Sequence, residues 1–392
     1  MLAVMRENKI ASRKSVIGLG LLSACAWGAE PIKVPMTPEH WKTNGGAEFV
    51  KHDGFDALEL KPYDRATKTL PGNASPIGIS FRNGTIEFDV DKPWSMGTGI
   101  AFRRDNDKSE NFEYFYLRPQ ANCAEAVDCI QYAPQTHGVL LWDVLPQFQA
   151  PAPLRDGEWN HVKLMVSGQR MNIFVNGAKS PTLEVGRLEG DTSEGGLLLS
   201  GPGFFANVTV TPDAVDGLPP EPAKDPTAGD RRYVRNWKVT PFYSLEAGKE
   251  PSAADLPGPT AAWTNLAAER NGFVNLSRPY GVPMQGKPDR PVAWLKTTIM
   301  SEGNQTKKVS IGWLREVWVF VNGQQVYADK NFYQPPSARK TPDGRCSLEN
   351  GYFELPLKAG VNEVEVAIAS NFYGWGLIMR LDDVNGVRLE TK

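Results

Sequence analysis

Residues 158–177 read EWNHVKLMVSGQRMNIFVNG, and apolar and polar positions alternate along them in two runs. Val162, Leu164 and Val166 alternate with His161, Lys163 and Met165, the period-2 pattern of a half-buried strand. Ser167, Gly168 and Gln169 break that run, after which Met171, Ile173 and Val175 alternate with Arg170, Asn172 and Phe174. Asn176-Gly177 closes the second run, and this dipeptide tolerates the positive φ angles of a tight turn. The stretch therefore predicts strand, turn, strand, turn. Its last four residues, Phe174-Val175-Asn176-Gly177, recur as Phe320-Val321-Asn322-Gly323. That echo points to two β domains, each with a strand ending in the same turn chemistry.

Short β-patterned runs also occur at 57–60, 85–91, 97–103, 112–117, 130–132, 139–142, 195–199 and 206–210. Residues 211–230, TPDAVDGLPPEPAKDPTAGD, then carry five prolines and no apolar period, the composition of a stiff linker. Beyond them 293–300, 308–312, 316–321, 352–357 and 361–368 read as strands, and 372–381 end the sheet. No segment carries a helical period. The expectation is an all-β chain of two β-sandwich (jelly-roll) domains, 30–210 and 231–392, joined by the Pro-rich linker 211–230.

Composition agrees with this picture. A length of 392 residues suits two domains, and 37 Gly with 31 Pro favour short strands and many turns. The formal net charge is −2 with no basic stripe, which argues against nucleic acid or an anionic membrane surface as partner. Eleven Trp and eleven Tyr suit a sugar-binding surface, because flat rings stack on pyranose faces. Sandwich cores need large aromatics as well.

The N-terminus changes the picture more. Arg6, Lys9, Arg13 and Lys14 precede a short apolar run at 16–22, too short to span a bilayer and followed by small residues. Residues 1–29 thus read as a signal peptide, which places the protein outside the cytoplasm: periplasmic, secreted or lipid-anchored at a bacterial cell envelope. Ala24-Cys25-Ala26 is an A-x-A cleavage site, while Leu22-Ser23-Ala24-Cys25 resembles a lipobox whose Cys25 is lipidated; both readings stay open. A membrane enters only through that lipid anchor. In an oxidising compartment Cys123 and Cys129, bracketing a short polar loop, are expected to form a disulfide, leaving Cys346 alone. His40, His52, His137 and His161 show no zinc-ligand spacing, so no metal is expected.

Two family patterns are present. Gly84-Thr85-Ile86-Glu87-Phe88-Asp89, Gly157-Glu158-Trp159-Asn160-His161-Val162-Lys163 and Phe174-Val175-Asn176-Gly177 occur in that order. With them the first domain resembles the concanavalin A-like, laminin-G-like sandwiches. Gly99-Ile100-Ala101-Phe102-Arg103 followed by Phe112-Glu113-Tyr114 looks like the branch called 3-keto-disaccharide hydrolase-like. The second domain resembles galactose-binding-like jelly rolls, through Val319-Phe320-Val321-Asn322-Gly323, the run at 355–362 and Gly374-Trp375-Gly376. These resemblances imply fold; both superfamilies host binding modules, enzymes and adhesion domains.

Candidate chemistry falls into several groups. Glu87, Asp89 and Asp91 sit at i, i+2 and i+4, so one strand would point all three carboxylates to one face. That resembles the acidic cluster of family 16 glycoside hydrolases, although Asp91 stands where that motif has Glu, and Lys92-Pro93 follows at once. A solvated face opposite Ile86, Phe88 and Val90 gives the same alternation. Arg103, Glu113, Tyr116, Arg118, Gln131 and Tyr132 flank the cysteine loop and combine guanidinium, carboxylate, amide and ring, a set suited to sugar hydroxyls. Paired charges along a strand face are the alternative. Asp105-Asn106-Asp107 offers oxygen ligands for calcium, but a plain turn is the favoured reading, so no cofactor is expected. Trp375, between two glycines, is either a stacking platform or a ring packed into the sheet end; Tyr333 and Arg339 are further ligand candidates. His161 reads as structural. No nucleophile elbow or phosphate-cradling loop is present.

The reading is an exported carbohydrate-binding protein of two β-sandwich modules, its partner an oligo- or polysaccharide bound by Arg103, Tyr116, Arg118, Gln131, Tyr132 and Trp375. One alternative is a glycoside hydrolase-like enzyme using Glu113, Glu87 or Asp89, and another is a non-catalytic surface or adhesion component. An enzyme is not the favoured reading.

Overall fold

The computed structural model describes residues 30–94, 97–105, 110–281 and 290–390. Residues 1–29, read above as a signal peptide and including Cys25, and Asn106 and Asp107 of the candidate calcium loop, lie outside the described residues. The chain is all-β, with antiparallel pairing throughout the described strands. Its one described α-helix is the four-residue turn Ser277–Tyr280.

The first sandwich stacks two sheets. Its eight-stranded sheet runs Leu183–Val185, Arg170–Val175, Asn160–Ser167, Gly84–Asp91, Gly203–Pro212, Phe55–Leu60 and Ala47–His52 in spatial order, with Ile32–Lys33 added along Gly203–Pro212. The facing seven-stranded sheet runs Gln149–Ala150, Ile130–Tyr132, Glu113–Leu117, Thr98–Arg104, Gly196–Ser200, Asn73–Pro76 and Trp41–Thr43. Alternation decides which side faces in. Ile86 pairs with Leu164 and Phe88 with Val162, and these four with Val90 and Val166 are fully buried, with Ile100, Phe102, Phe115 and Leu117 opposite. Each such side chain contributes roughly 1.5–3 kcal/mol on burial, and a slip of one residue would turn the whole set to solvent.

The second sandwich repeats the plan with an eight-stranded sheet built around Arg290–Ser301, Gly360–Ala369 and Arg315–Val321. It faces a four-stranded sheet ordered Phe273–Asn275, Gly376–Leu381, Gln305–Trp313 and Gly351–Leu357. The repeated tetrapeptide does the same work in both sandwiches. Asn176 and Asn322 take φ of 52° and 50°, and Gly177 and Gly323 take 71° and 82°. The Asn176 amide donates to Asn160 Oδ1 and that of Asn322 to Asn362 Oδ1, each at 2.9 Å.

The sandwiches are joined by more than the linker. The segment after Leu140 carries Asp143 into the second sandwich, where its carboxylate meets the Arg315 guanidinium and accepts the Gly374 N–H at 3.1 Å. Both charged residues are almost fully buried. Trp142 beside them packs edge-on against Tyr333 and Tyr373, at ring distances of 4.8 and 5.7 Å. The linker itself is strapped along the first sandwich: Gln169 N–H donates to Pro220 O at 3.0 Å and Ala223 N–H to Gly186 O at 2.7 Å.

Candidate ligand site between the two sandwiches

Where the two sandwiches meet there is a pocket of about 230 Å³ lined by both. The first sandwich supplies Leu141, Val144, Leu145 and Glu189; the second supplies Glu269, Arg270, Phe273, Asn275, Arg278 and Ile378. Apolar walls with a few convergent polar groups are the usual make-up of a small-molecule site.

The segment bearing Glu189 is fixed from behind. Its backbone N–H donates to the Tyr132 hydroxyl at 2.7 Å, and that hydroxyl donates to Glu113 Oε2 at 2.6 Å. Gly190 lies so close to the Glu113 carboxyl that a Cβ there would stand 2.6 Å from Oε1, so a larger residue would have to displace that carboxyl. From the front, Arg278 donates to Glu189 O at 2.8 Å while its other nitrogens bond Asp191 and Glu269. Glu189 is thus held in the wall between the core of one sandwich and a cation of the other. Burial raises its carboxyl above the usual range, with Arg187 and Arg270 opposing the shift.

Opposite it, Asn271 adopts φ 58° in the turn that follows Arg270, and Arg270 donates to Ala223 O of the linker at 2.5 Å. Arg270 Nε lies 3.9 Å from Glu189 Oε1, near enough for charge attraction but not for a hydrogen bond. Among the described residues neither atom has a hydrogen-bond partner. Glu269 accepts from Arg278 and, at 3.4 Å, from Asn275. None of these pocket residues stands out in the sequence: Glu189 and Glu269 are 80 positions apart, and only the Asn271-Gly272 turn carries a local signal.

The residues read from sequence as ligand-binding are placed elsewhere, and they divide between two faces. Arg103, Glu113 and Tyr132 lie inside the first sandwich. The Arg103 guanidinium caps backbone oxygens of Arg82 and Gly168, at 2.6 and 2.8 Å from Nη2. Glu113 is 1% exposed, and burial pushes its carboxyl up to about 7 against the Tyr132 hydrogen bond and the Arg103 charge. Tyr116, Arg118 and Gln131 lie on the outer face of the same sheet, under the second sandwich. Tyr116 donates to Gln131 Oε1 at 2.8 Å, Gln131 donates to Trp142 O at 2.7 Å, and Arg118 reaches Tyr333 at 3.4 Å. Of these bonds only Arg118–Tyr333 crosses to the second sandwich. Trp375 is no open platform either: it is 1% exposed, its indole N–H donates to Ile368 O at 3.2 Å, and Tyr280 and Phe242 pack on its ring. Cys123 and Cys129 are disulfide-bonded, and Cys346 is a buried thiol facing the pocket.

Glu87 and Asp89 point outward from the eight-stranded sheet, so they share no cleft with the inward Glu113. The carboxylate pairing of Glu87 with Glu113 is therefore not made. On that outer face a more open hollow of about 640 Å³ is bordered by Glu87, His161, Lys163, Phe174 and linker residues 216–219. His161 Nδ1 lies 2.7 Å from Asp89 Oδ1, Asn207 donates to Asp89 Oδ2 at 2.6 Å, and Lys163 lies 3.4 Å from Asp216. The Asp89 hydrogen bond raises the His161 pKa. Asp91, at the end of the same strand, is buried, with Oδ2 2.7 Å from His52 Nε2. His52, Asp53 and Asp91 bring their ligand atoms within 4.8 Å of one another, a weak candidate for a divalent cation.

No family model matches this chain, and no curated protein matches it. Solved structures similar to it include the carbohydrate-binding module CBM66 from Bacillus subtilis, at 15% identity and TM-score 0.31, covering 44% of this chain and 96% of that one. A Bacillus subtilis protein of unknown function with a galectin-like fold aligns at 15% identity and TM-score 0.33, covering 46% and 94%. The exoplasmic/lumenal domain of VIP36, in a Ca2+/Man3GlcNAc-bound form, aligns at 13% identity and TM-score 0.32, covering 46% and 86%.

Proposed function

We propose that this is an exported carbohydrate-binding protein whose ligand enters the pocket between the two sandwiches. The observation that carries the reading is the pocket itself, where the apolar side chains Leu145, Phe273 and Ile378 stand beside the charged side chains Glu189, Glu269, Arg270 and Arg278. A sugar presents the matching surface, hydroxyls around its rim and C–H groups on its faces. Export rests on the signal-like residues 1–29, with soluble and Cys25-anchored forms both open. Calorimetry of the full chain against a panel of neutral mono- and oligosaccharides tests the reading. Binding to at least one, weakened about tenfold or more in Arg270→Ala, is the expected result; no binding to any of them rejects it.

A second reading is glycoside hydrolysis, favoured by Glu189 and Glu269 facing the same pocket. Glycosidases use such pairs, one carboxyl donating a proton to the leaving oxygen and the other attacking or activating water. Release of reducing sugar that disappears in both Glu189→Gln and Glu269→Gln would establish it. Sugar binding with no turnover in the wild-type chain would exclude it for that sugar.

A further inference from the structure

We propose that residues 188–191 act as a proton-controlled flap: when Glu113 loses its proton, the Glu189 wall of the pocket opens and the ligand is released. The inference rests on the carbohydrate-binding reading and adds the regulation of that site.

The flap covers a buried acid. Glu113 opens the strand Glu113–Leu117 and is 1% exposed. The Tyr132 hydroxyl donates to its Oε2 at 2.6 Å, the backbone N–H of Gly190 faces it, and Arg103 attracts it from the neighbouring strand. Among the described residues no ion pair neutralises it, because Arg103 donates through Nε and Nη2 to Arg82 O, Asn83 Oδ1 and Gly168 O instead. Gly190 packs directly on the carboxyl, and the Glu189 N–H rests on the Tyr132 hydroxyl at 2.7 Å. The segment that shields Glu113 from water is therefore the one that sets Glu189 in the pocket wall.

A carboxylate without a counter-charge is penalised in an apolar interior, so the closed wall favours the neutral acid. Burial accordingly pushes the Glu113 carboxyl up to about 7 from 4.5. An open flap admits water and returns the group toward its ordinary value. Opening thus releases a proton, and it becomes easier as pH rises from about 4.5 to 7 and levels off above. The surrounding charges divide between the two states. Glu189 repels an ionised Glu113 and favours opening. On the pocket side Arg278 holds Glu189 O, Asp191 and Glu269, while Arg187 and Arg270 attract the Glu189 carboxyl, and these favour closure. His137 braces that side, its Nδ1 2.5 Å from Arg278 O.

Amide exchange of the full chain from pH 5 to 8, corrected for the intrinsic rise with pH, reads the opening residue by residue. Residues 188–191 are expected to gain roughly tenfold or more in the wild type and in Glu189→Gln, and nothing in Glu113→Gln, which stays neutral. Calorimetry with the tightest-binding neutral sugar of the panel is expected to show about a threefold or greater loss of affinity over the same range, absent in Glu113→Gln. Circular dichroism checks that the variants fold. If Glu113→Gln does not, the wild type decides, because the NMR titration of the Glu113 carboxyl must share its midpoint with the rise in exchange. Exchange at 188–191 with no excess over the intrinsic rise, an excess that survives in folded Glu113→Gln, or an affinity flat across the range overturns the flap and leaves carbohydrate binding in place. If no sugar binds, the carbohydrate reading falls, and the exchange series still decides whether the flap exists.

Discussion

The outer hollow around His161 and the pocket around Glu189 are built from similar groups and end in opposite states. In the hollow, His161 stands between Glu87 and Asp89, Asn207 holds the far oxygen of Asp89, and Lys163 answers Asp216. Each of these charges has its answer on the same wet surface. In the pocket, Glu189 and Arg270 come from different sandwiches, and their facing atoms remain without partners among the described residues. A face that evolves as part of one sheet can pair its own charges across neighbouring strands. A wall assembled from two domains is shaped by how they dock, so facing charges can be left at 3.9 Å, beyond hydrogen-bond distance.

Breaking the dock should break one region and spare the other. Asp143→Ala leaves Arg315 charged and buried without its partner, which is expected to cost about 3–5 kcal/mol. Chemical denaturation should show that loss, and sugar binding should fall with it, while the NMR titration of His161 stays where it is. Retained binding at the pocket would show that the ion pair does not hold its walls.

Glu113 gives the next largest effect, through pH. Its carboxyl titrates near 7 in the folded chain against an ordinary 4.5, so the folded state binds its proton more tightly. The associated stability is complete below about pH 4.5 and is lost as pH rises to about 7, on the order of 3 kcal/mol in all. Glu113→Gln, neutral at every pH, is expected to flatten that part of the stability–pH curve. Because Glu113 and Tyr132 back the Glu189 segment, amide exchange across residues 188–191 should quicken over the same pH range in the wild type alone.

The smallest effect belongs to the hollow. The Asp89 hydrogen bond raises the His161 pKa, so any stabilisation by that pair is present at acid pH and fades as pH rises through the raised value. His161 is half exposed and the pair screened by water, so His161→Ala should change stability by less than about 1 kcal/mol. Asp89→Asn should lower the His161 pKa in an NMR titration; an unchanged value would mean that Glu87 holds the ring instead.

The strand framework is visible in the chain because a period of two is local. Ile86, Phe88 and Val90, and Val162, Leu164 and Val166, announce their inward face without reference to anything distant. The split of the Arg103–Tyr132 group is partly visible by the same rule. Glu113 shares parity with the inward Phe115 and Leu117, whereas Tyr116 has the opposite parity and must face out. Arg103 breaks that rule. It has the parity of outward Ala101, yet a positive φ of 54° and a register shift opposite residues 196–198 let its guanidinium cap the end of the sandwich. Nothing local foretells that, nor that the outer face bearing Tyr116 and Gln131 would be covered by Tyr333 and Phe372.

The sequence alone determined an all-β chain, the repeated Asn-Gly turn and the spacing of Cys123 and Cys129, because alternation, turn conformation and short loop closure depend on neighbours in the chain. Tertiary structure decided that Trp375 is core, that Asp143 is buried against Arg315, and that Glu189 meets Arg270 across 3.9 Å. Those outcomes depend on how two independently patterned sandwiches dock, and residues 81 positions apart, as Glu189 and Arg270 are, carry no local mark of the contact they will share.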